Sequence, residues 1–150
     1  MITITSEQVK QIQRHAEKIY PEECCGLLLG KIEGENNNVI EVRETENSWN
    51  PEEFEFLSLT DRTKRNNFTI APEVVLQVQK EARDRNLSII GIFHSHPDHS
   101  AIPSEFDRLI AWPEYSYIIV SVQAGKIVDI RCWKLDDNHQ FQAEKIYKNY

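Results

Sequence analysis

Residues 87–107 read LSIIGIFHSHPDHSAIPSEFD, and this stretch carries the strongest structural and chemical signals in the chain. Residues 87–93 are apolar and rich in Ile, with polar residues on both sides, which predicts a buried β-strand. His94 and His96 follow at the end of that strand. Because alternate residues of a strand point to the same face, their imidazoles should lie side by side before Pro97 ends the strand.

Two adjacent imidazoles suit a divalent metal such as zinc, which takes nitrogen ligands at about 2.0–2.1 Å. Asp107 lies on the short helix that Pro103-Ser104 is expected to begin, and it could reach back as a third ligand. Two His and one carboxylate with an open fourth position are typical of a catalytic zinc site. A second interpretation stays open, because residues 104–107 also resemble a capping box in which Asp107 bonds to the helix N-terminus.

The rest of the chain predicts strands mixed with about three helices, hence an α/β or α+β fold with a mixed, mostly antiparallel sheet. Ser6 and Pro72 are expected to begin two further helices, the first with Ser6 as its N-cap and Pro21 as its end. Residues 33–38 read as a polar turn, and residues 44–67 as a long irregular connection. The other predicted strands span residues 2–5, 24–30, 39–42, 68–70, 115–122, 127–133 and 140–147.

Composition excludes several classes of protein. The 150 residues fit one domain, residues 1–150, and their formal charge is −7, from 17 Lys+Arg against 24 Asp+Glu. An acidic balance without a basic stripe argues against nucleic acid as a partner. No apolar run approaches the roughly 18 residues of a membrane span, and the first residues lack a signal-peptide pattern, so we expect a cytoplasmic protein. Three cysteines, two of them adjacent, do not suggest a disulfide framework.

Two motifs in the chain are similar to motifs of a known protein family. The string His94-x-His96-Pro97, six residues, Ser104, two residues, Asp107 resembles the zinc signature of the JAMM/MPN+ metallopeptidases. Members also carry an upstream acid in a Glu-x-Cys-Gly-x-Leu-x-Gly-like context, and residues 23–30 here read ECCGLLLG. The resemblance covers essentially the whole chain, matches the small prokaryotic single-domain members, and fits poorly at residues 44–67.

The resemblance implies the fold, the activity and the role of each site residue. It implies cytidine-deaminase-like layering and one zinc ion per chain, held by His94, His96 and Asp107. It makes Glu23 the general base and Ser104 a donor to the oxyanion. It also implies a peptidase or isopeptidase that cuts after the C-terminal Gly-Gly tail of a ubiquitin-like or sulfur-carrier protein, a tail that can lie extended beside a sheet edge.

Several neighbouring residues have competing interpretations. Spacing alone cannot choose between Glu22 and Glu23, and only the family pattern selects Glu23. Cys24 and Cys25 are interpreted as buried and inert, although Cys24 could lie near the cleft. His99 is expected either in a solvated loop or lining the cleft, and His15 and His139 are expected on the surface. The three aromatic residues of the long connection are expected to form either a substrate-facing flap or an anchor for that loop; they are Trp49, Phe54 and Phe56.

Two alternative functions remain. Some relatives in large complexes keep the fold without the metal ligands, so a non-catalytic MPN-type interaction module is one alternative. RadC-like proteins, once linked to DNA repair, show a similar His-x-His-Pro string and are the other. The complete ligand set argues against the first alternative, and the acidic charge with the Glu23-Cys24-Cys25-Gly26 context argues against the second.

Overall fold

The computed structural model describes residues 1–50, 52 and 63–149. Within them the chain forms eight strands and three helices, which matches the predicted α/β class. The elements are β1 (Ile2–Thr5), α1 (Ser6–Ile19), β2 (Cys25–Glu33), β3 (Asn36–Thr45), α2 (Pro72–Asp84), β4 (Ser88–Pro97), α3 (Glu105–Ile110), β5 (Ser116–Gln123), β6 (Lys126–Leu135), β7 (Phe141–Glu144) and β8 (Ile146–Asn149).

The strands form one mixed sheet in the order β7-β6-β5-β4-β2-β3-β1-β8. Four neighbouring pairs are antiparallel, and the pairs β4–β5, β1–β3 and β1–β8 are parallel. The predicted mixed, mostly antiparallel sheet is therefore confirmed. The strands β7 and β8 stand at opposite ends of this order, yet only Lys145 separates them along the chain. The sheet must therefore curl until its two edges come together.

Helix α1 packs on one face of the sheet through its apolar stripe. Val9, Ile12 and Ala16 are buried with apolar residues from the strands, as the helical spacing predicts. The predicted N-cap at Ser6 is wrong by one residue, since Thr5 takes that role. The Thr5 hydroxyl accepts from the Gln8 amide at 3.1 Å, and the Gln8 side chain accepts from the Thr5 amide at 2.9 Å.

Helix α2 covers the opposite face, so β2 lies between two helices. Val78 and Ala82 pack against Leu27 and Leu29, whereas Leu28 points to the α1 side because side chains alternate along a strand. This two-sided burial explains the nearly continuous apolar run of β2. No helix among the described residues is long and apolar enough to cross a membrane.

Four local expectations differ from the structure. Residues 68–70 form no strand, and the predicted turn at 33–38 shrinks to a tight turn at Gly34 (φ +64°) because β3 already begins at Asn36. The predicted strand over 140–147 is two strands, since β7 pairs with β6 and β8 pairs with β1. His15, expected on the surface, is buried against Phe93 with ring centroids 6.1 Å apart.

The pairing of β4 places the chemistry-bearing residues at one end of the sheet. It runs parallel to β5, and α3 lies in the connection between them. It runs antiparallel to β2, with Cys25 opposite His94. Because of this register, the residues just before β2 lie beside the end of β4 that carries both histidines.

The backbones of β2 and β3 approach each other closely at Gly30. A Cβ built at this position would lie 1.9 Å from the carbonyl oxygen of Asn38 on β3. We expect Gly30→Ala to lower the free energy of unfolding by about 1–3 kcal/mol, the usual cost of overpacking. Lys31→Ala, at the exposed next position, is the matched control and should stay within about 0.5 kcal/mol of the wild type. Equal stability of the two variants in chemical denaturation would contradict this view of the strand contact.

Candidate metal centre and active site

Three backbone segments bring the candidate residues together. Glu23 lies two residues before the start of β2, His94 and His96 lie on β4, and Asp107 lies in the first turn of α3. Ser95, between the histidines, fixes the first two segments to each other. Its hydroxyl accepts from the Cys24 amide at 2.7 Å, and its own amide donates to the Cys24 carbonyl at 3.1 Å. Ser95 was not among the residues predicted from the sequence, although its place between the two histidines is a signal that could have pointed to it.

The two imidazoles and one carboxylate converge on a single point. His94 Nε2 and His96 Nε2 are 3.2 Å apart, and they lie 3.2 and 3.1 Å from Asp107 Oδ2. A tetrahedral ion with bonds of about 2.0–2.1 Å separates its ligands by about 3.3–3.4 Å. The three buried ligand atoms therefore already have nearly the spacing that zinc requires, and their chemistry suits zinc.

The far nitrogen of each imidazole has a different environment. His96 Nδ1 donates to the Ser100 carbonyl at 2.8 Å, which leaves Nε2 as the electron-pair donor that a metal requires. His94 stacks on Phe68 with ring centroids 4.4 Å apart. Its buried Nδ1 has no hydrogen-bond partner among the described residues. A carbonyl thus orients one imidazole, and aromatic packing orients the other.

Asp107 serves both interpretations given by the sequence. Its Oδ2 accepts from the Ser104 amide at 2.9 Å, and its own amide donates to the Ser104 hydroxyl at 3.0 Å, so the capping box is present. The same Oδ2 faces both imidazoles. The cap therefore holds the carboxylate in the position of a third ligand. Because the Ser104 hydroxyl accepts that bond, its own hydrogen is free to be donated elsewhere.

Of the two neighbouring acids, Glu23 is the one that lies beside the two histidines. Its side chain is buried, whereas Glu22 is exposed, and a carboxylate oxygen of Glu23 and one ring nitrogen from each of His94 and His96 lie within 4.8 Å of one another. Glu23 Oε1 is buried without a hydrogen-bond partner among the described residues, which leaves it available to a water or substrate. The Glu23 amide donates to the Lys64 carbonyl at 2.8 Å, and the Asn47 side chain donates to the Glu23 carbonyl at 3.1 Å.

Burial and charge set the protonation of the cluster. Burial, followed by the nearby charge of Asp107, raises the pKa of Glu23 well above its usual value. Burial also tends to raise the pKa of Asp107, but the two imidazoles opposite outweigh it and lower that pKa. Burial lowers the pKa of His94, while for His96 the hydrogen bond and charge of Asp107 outweigh burial and raise it. The Asp107 carboxylate is therefore an anion that faces two imidazoles. One negative charge and two nitrogen donors are a ligand set that suits a divalent cation.

Among the cavities that border the cluster, two are lined by its histidines. One, of about 190 Å³, is mostly apolar and is lined by His94 and Asp107 together with side chains that include Phe68 and Trp112. The other, of about 340 Å³, is lined by Glu23, His96, His99, Ser100, Ile102, Asn66 and Ser104. His99 thus lines the cleft, which was one of its two sequence interpretations.

The segment after β3 is anchored to the core near the site. Trp49 is buried, which favours the anchoring role over a substrate-facing flap, and Phe54 and Phe56 lie outside the described residues. Asn47 fixes this segment. It donates to the Asn67 carbonyl at 2.9 Å and accepts from the Trp49 amide at 3.0 Å. Nothing in the local sequence pattern distinguishes Asn47 from other loop asparagines.

Comparison with known proteins is consistent with this geometry. Residues 5–136 match the family described as prokaryotic homologues of the JAB domain. The chain belongs to this family. It is 32% identical over 127 residues to a desampylase of Pyrococcus furiosus, covering 83% of this chain and 74% of that protein.

Two solved structures extend the comparison. Protein DSY2949 of Desulfitobacterium hafniense superposes with a TM-score of 0.79 at 29% identity, covering 99% of this chain and 93% of that one. AF2198 of Archaeoglobus fulgidus, a JAB1/MPN domain protein, has a TM-score of 0.56 at 16% identity and 99% and 95% coverage. The family match confirms the predicted JAMM/MPN membership, and the likeness to these structures confirms the fold.

The cysteines beside the site should be unreactive. Burial raises the pKa of the Cys24 and Cys25 thiols to about 12 and that of Cys132 well above its usual value. Because these pKa values are so high, almost none of the three thiols is ionised at pH 8, and all three cysteines are also buried. We expect a disulfide reagent to label the native protein much more slowly than the unfolded chain, which should release three thiols per chain. Labelling of the native protein at the rate of free cysteine would contradict this.

Proposed function

We propose that this protein is a zinc-dependent JAMM peptidase or isopeptidase. It hydrolyses the bond that follows the C-terminal Gly-Gly tail of a ubiquitin-like or sulfur-carrier protein. One observation carries the proposal: two imidazole nitrogens and one carboxylate oxygen converge at 3.1–3.2 Å beside a buried, unpaired glutamate. The family membership and the likeness to a desampylase support the substrate class. We also propose that residues 1–150 act as one domain.

The proposed metal ligands are His94, His96 and Asp107. When bound, zinc lowers the pKa of a coordinated water and polarises a carbonyl group. Asp107 supplies the negative charge of the ligand set, and the Ser100 carbonyl holds His96 in the tautomer that binds metal. The N-cap bonds of α3 keep the Asp107 carboxylate from rotating away from the imidazoles.

Glu23 is proposed as the proton carrier. Its unpaired Oε1 can accept a proton from the attacking water and then deliver that proton to the leaving amine. Burial favours the protonated form that this delivery requires, and a nearby dication favours the ionised form that accepts the proton. The two environments therefore act in opposite directions on one carboxyl group, which suits a group that must be both base and acid.

Ser104 is proposed as the donor to the carbonyl oxygen of the substrate. Its side chain lines the same cavity as Glu23 and His96, and its hydroxyl accepts rather than donates in the helix cap. The hydrogen that remains can stabilise the negative charge that develops on the carbonyl oxygen. Glu23 and Ser104, the proposed acceptor of the water proton and the proposed donor to the oxyanion, thus line one cavity.

Removal of the proposed carboxylate ligand should abolish zinc binding. We expect the wild-type protein, purified without chelator, to hold about one zinc per chain, and Asp107→Asn to hold almost none. The asparagine can still cap α3 through its side-chain oxygen but lacks the charge. Glu105→Gln, an exposed neighbour on the same helix, is the matched control and should keep its zinc.

The measurements for this prediction are elemental analysis and thermal unfolding. Zinc at 100 times its dissociation constant should stabilise the wild-type protein by about 2.7 kcal/mol and leave Asp107→Asn unchanged. A folded wild-type protein without zinc binding would overturn the proposal and favour a non-catalytic interaction module.

Substitution of Glu23 should separate catalysis from metal binding. We expect Glu23→Gln to keep zinc but to lose about 10²–10⁴-fold in the hydrolysis rate, because the amide cannot carry the proton. Glu22→Gln, one residue away and exposed, should retain full activity. Mass spectrometry would follow a sulfur-carrier protein whose Gly-Gly terminus is extended by a short peptide, and a second carrier linked through a lysine isopeptide. A zinc-loaded Glu23→Gln with wild-type activity would refute the assignment of the base.

A further inference from the structure

The loop between β4 and α3 connects two of the proposed metal ligands. Residues 98–104 follow His96 and end at the N-cap of Asp107's helix. The Ser100 carbonyl within this loop accepts from His96 Nδ1. The position of the loop therefore determines both the orientation of one imidazole and the approach of the carboxylate. Residues that hold the loop act on the site without touching the metal or substrate.

The first of these contacts is a clip on Asp98. Its carboxylate accepts from the Tyr20 hydroxyl at 2.7 Å and from the Ala124 amide at 2.9 Å. Its own amide donates to the Val122 carbonyl at 2.6 Å, and its φ of +58° turns the chain sharply away from the sheet. The end of α1 and the β5–β6 turn thus grip the start of the loop from two sides. Tyr20 lies 78 residues away in sequence and outside the JAMM motif.

The next three loop carbonyls each receive a side-chain donor. The Ser121 hydroxyl donates to the His99 carbonyl, His96 Nδ1 to the Ser100 carbonyl at 2.8 Å, and Trp133 Nε1 to the Ala101 carbonyl at 3.0 Å. Ser121 is buried and stands opposite His96 in the β4–β5 ladder. A serine beside one ligand therefore fixes the carbonyl adjacent to the one that orients that ligand.

We propose that Tyr20, Ser121 and Trp133 are positioning residues of the metal centre. They hold the 98–104 loop so that the Ser100 carbonyl and Asp107 stay in the geometry that binds zinc. Without these bonds the loop samples other positions, and the metal site must be reordered at the cost of affinity. The inference rests on the proposed function of the cluster as a zinc centre.

The first test measures the loop in the metal-free protein. Tyr20→Phe and Ser121→Ala each remove one hydroxyl, and Trp133→Phe removes one N–H group while keeping an aromatic ring. We expect faster amide hydrogen exchange across residues 98–104 in each variant, with exchange in β2 and β4 close to wild type. Tyr147→Phe and Ser88→Ala, exposed positions on β8 and β4, are the matched controls. Unchanged exchange in the loop would overturn the proposal.

The second test measures the consequence for the site. We expect Ser121→Ala and Tyr20→Phe to lower zinc affinity by about 10-fold in chelator competition, the lower end of the usual effect of losing an outer-shell partner. At saturating zinc, kcat should fall more than KM changes, and the stability of metal-free Tyr20→Phe should equal that of the wild type. Ser121→Thr, which keeps the hydroxyl, should restore the affinity.

The outcomes separate this inference from the proposed function. A wild-type protein that binds no zinc overturns the proposed function, while hydrogen exchange still decides whether these residues hold the loop. A wild type that binds zinc, with variants whose affinities lie within twofold of it, overturns the positioning role alone. An affinity loss in Tyr147→Phe or Ser88→Ala as large as in Ser121→Ala would also overturn it, because the effect would not be specific to the loop.

Discussion

One carboxylate oxygen, Asp107 Oδ2, joins the local structure of this protein to its chemistry. It accepts from the Ser104 amide at 2.9 Å and faces two imidazole nitrogens at 3.1–3.2 Å. The first contact belongs to a helix cap, which an isolated segment can form; the other two require that β4 and α3 come together. Because one atom meets both demands, the short helix cannot begin one residue earlier or later without displacing the proposed third ligand. The contacts of this oxygen therefore constrain the connection between the parallel strands β4 and β5.

A buried carboxylate surrounded by two imidazoles is costly to desolvate, and its cost depends on what neutralises it. In the metal-free protein, the negative charge of the Asp107 carboxylate can be offset only by a proton on one of the imidazoles. Burial lowers the pKa of His94 and so disfavours its charged form. A bound dication would remove this conflict, because all three groups would then bind it in their unprotonated forms. The same reasoning explains why Glu23, close to these groups but without a partner for Oε1, is poorly stabilised as an anion until a cation or a proton donor is present.

The sequence predicted those parts that short-range rules govern. The alternation of His94 and His96, the capping box at Ser104, the stripe of α1 and the burial of β2 follow from strand and helix periods, and the structure contains all four. The sequence did not predict the features that depend on residues far apart in the chain. His15 is polar and lies on a helix, and it is buried beside Phe93 and Glu44, which are both distant in sequence. The split of the last strand at Lys145 likewise depends on two different partners, β6 and β1, which no local pattern reveals.

The choice between Glu22 and Glu23 shows the same division within the site. Both acids precede β2, and their spacing to the strand says only that they point to opposite sides. The choice is made by the bonds of the surrounding backbone: Ser95 ties Cys24 to β4, and Lys64 and Asn47 hold the main chain of Glu23. The motif residues thus specify which groups can do the chemistry, but residues far from the motif specify where those groups lie. If the cluster binds zinc as proposed, two chains with identical motifs would differ in metal affinity and rate through positions such as 20, 47, 95 and 121, which a motif search does not include.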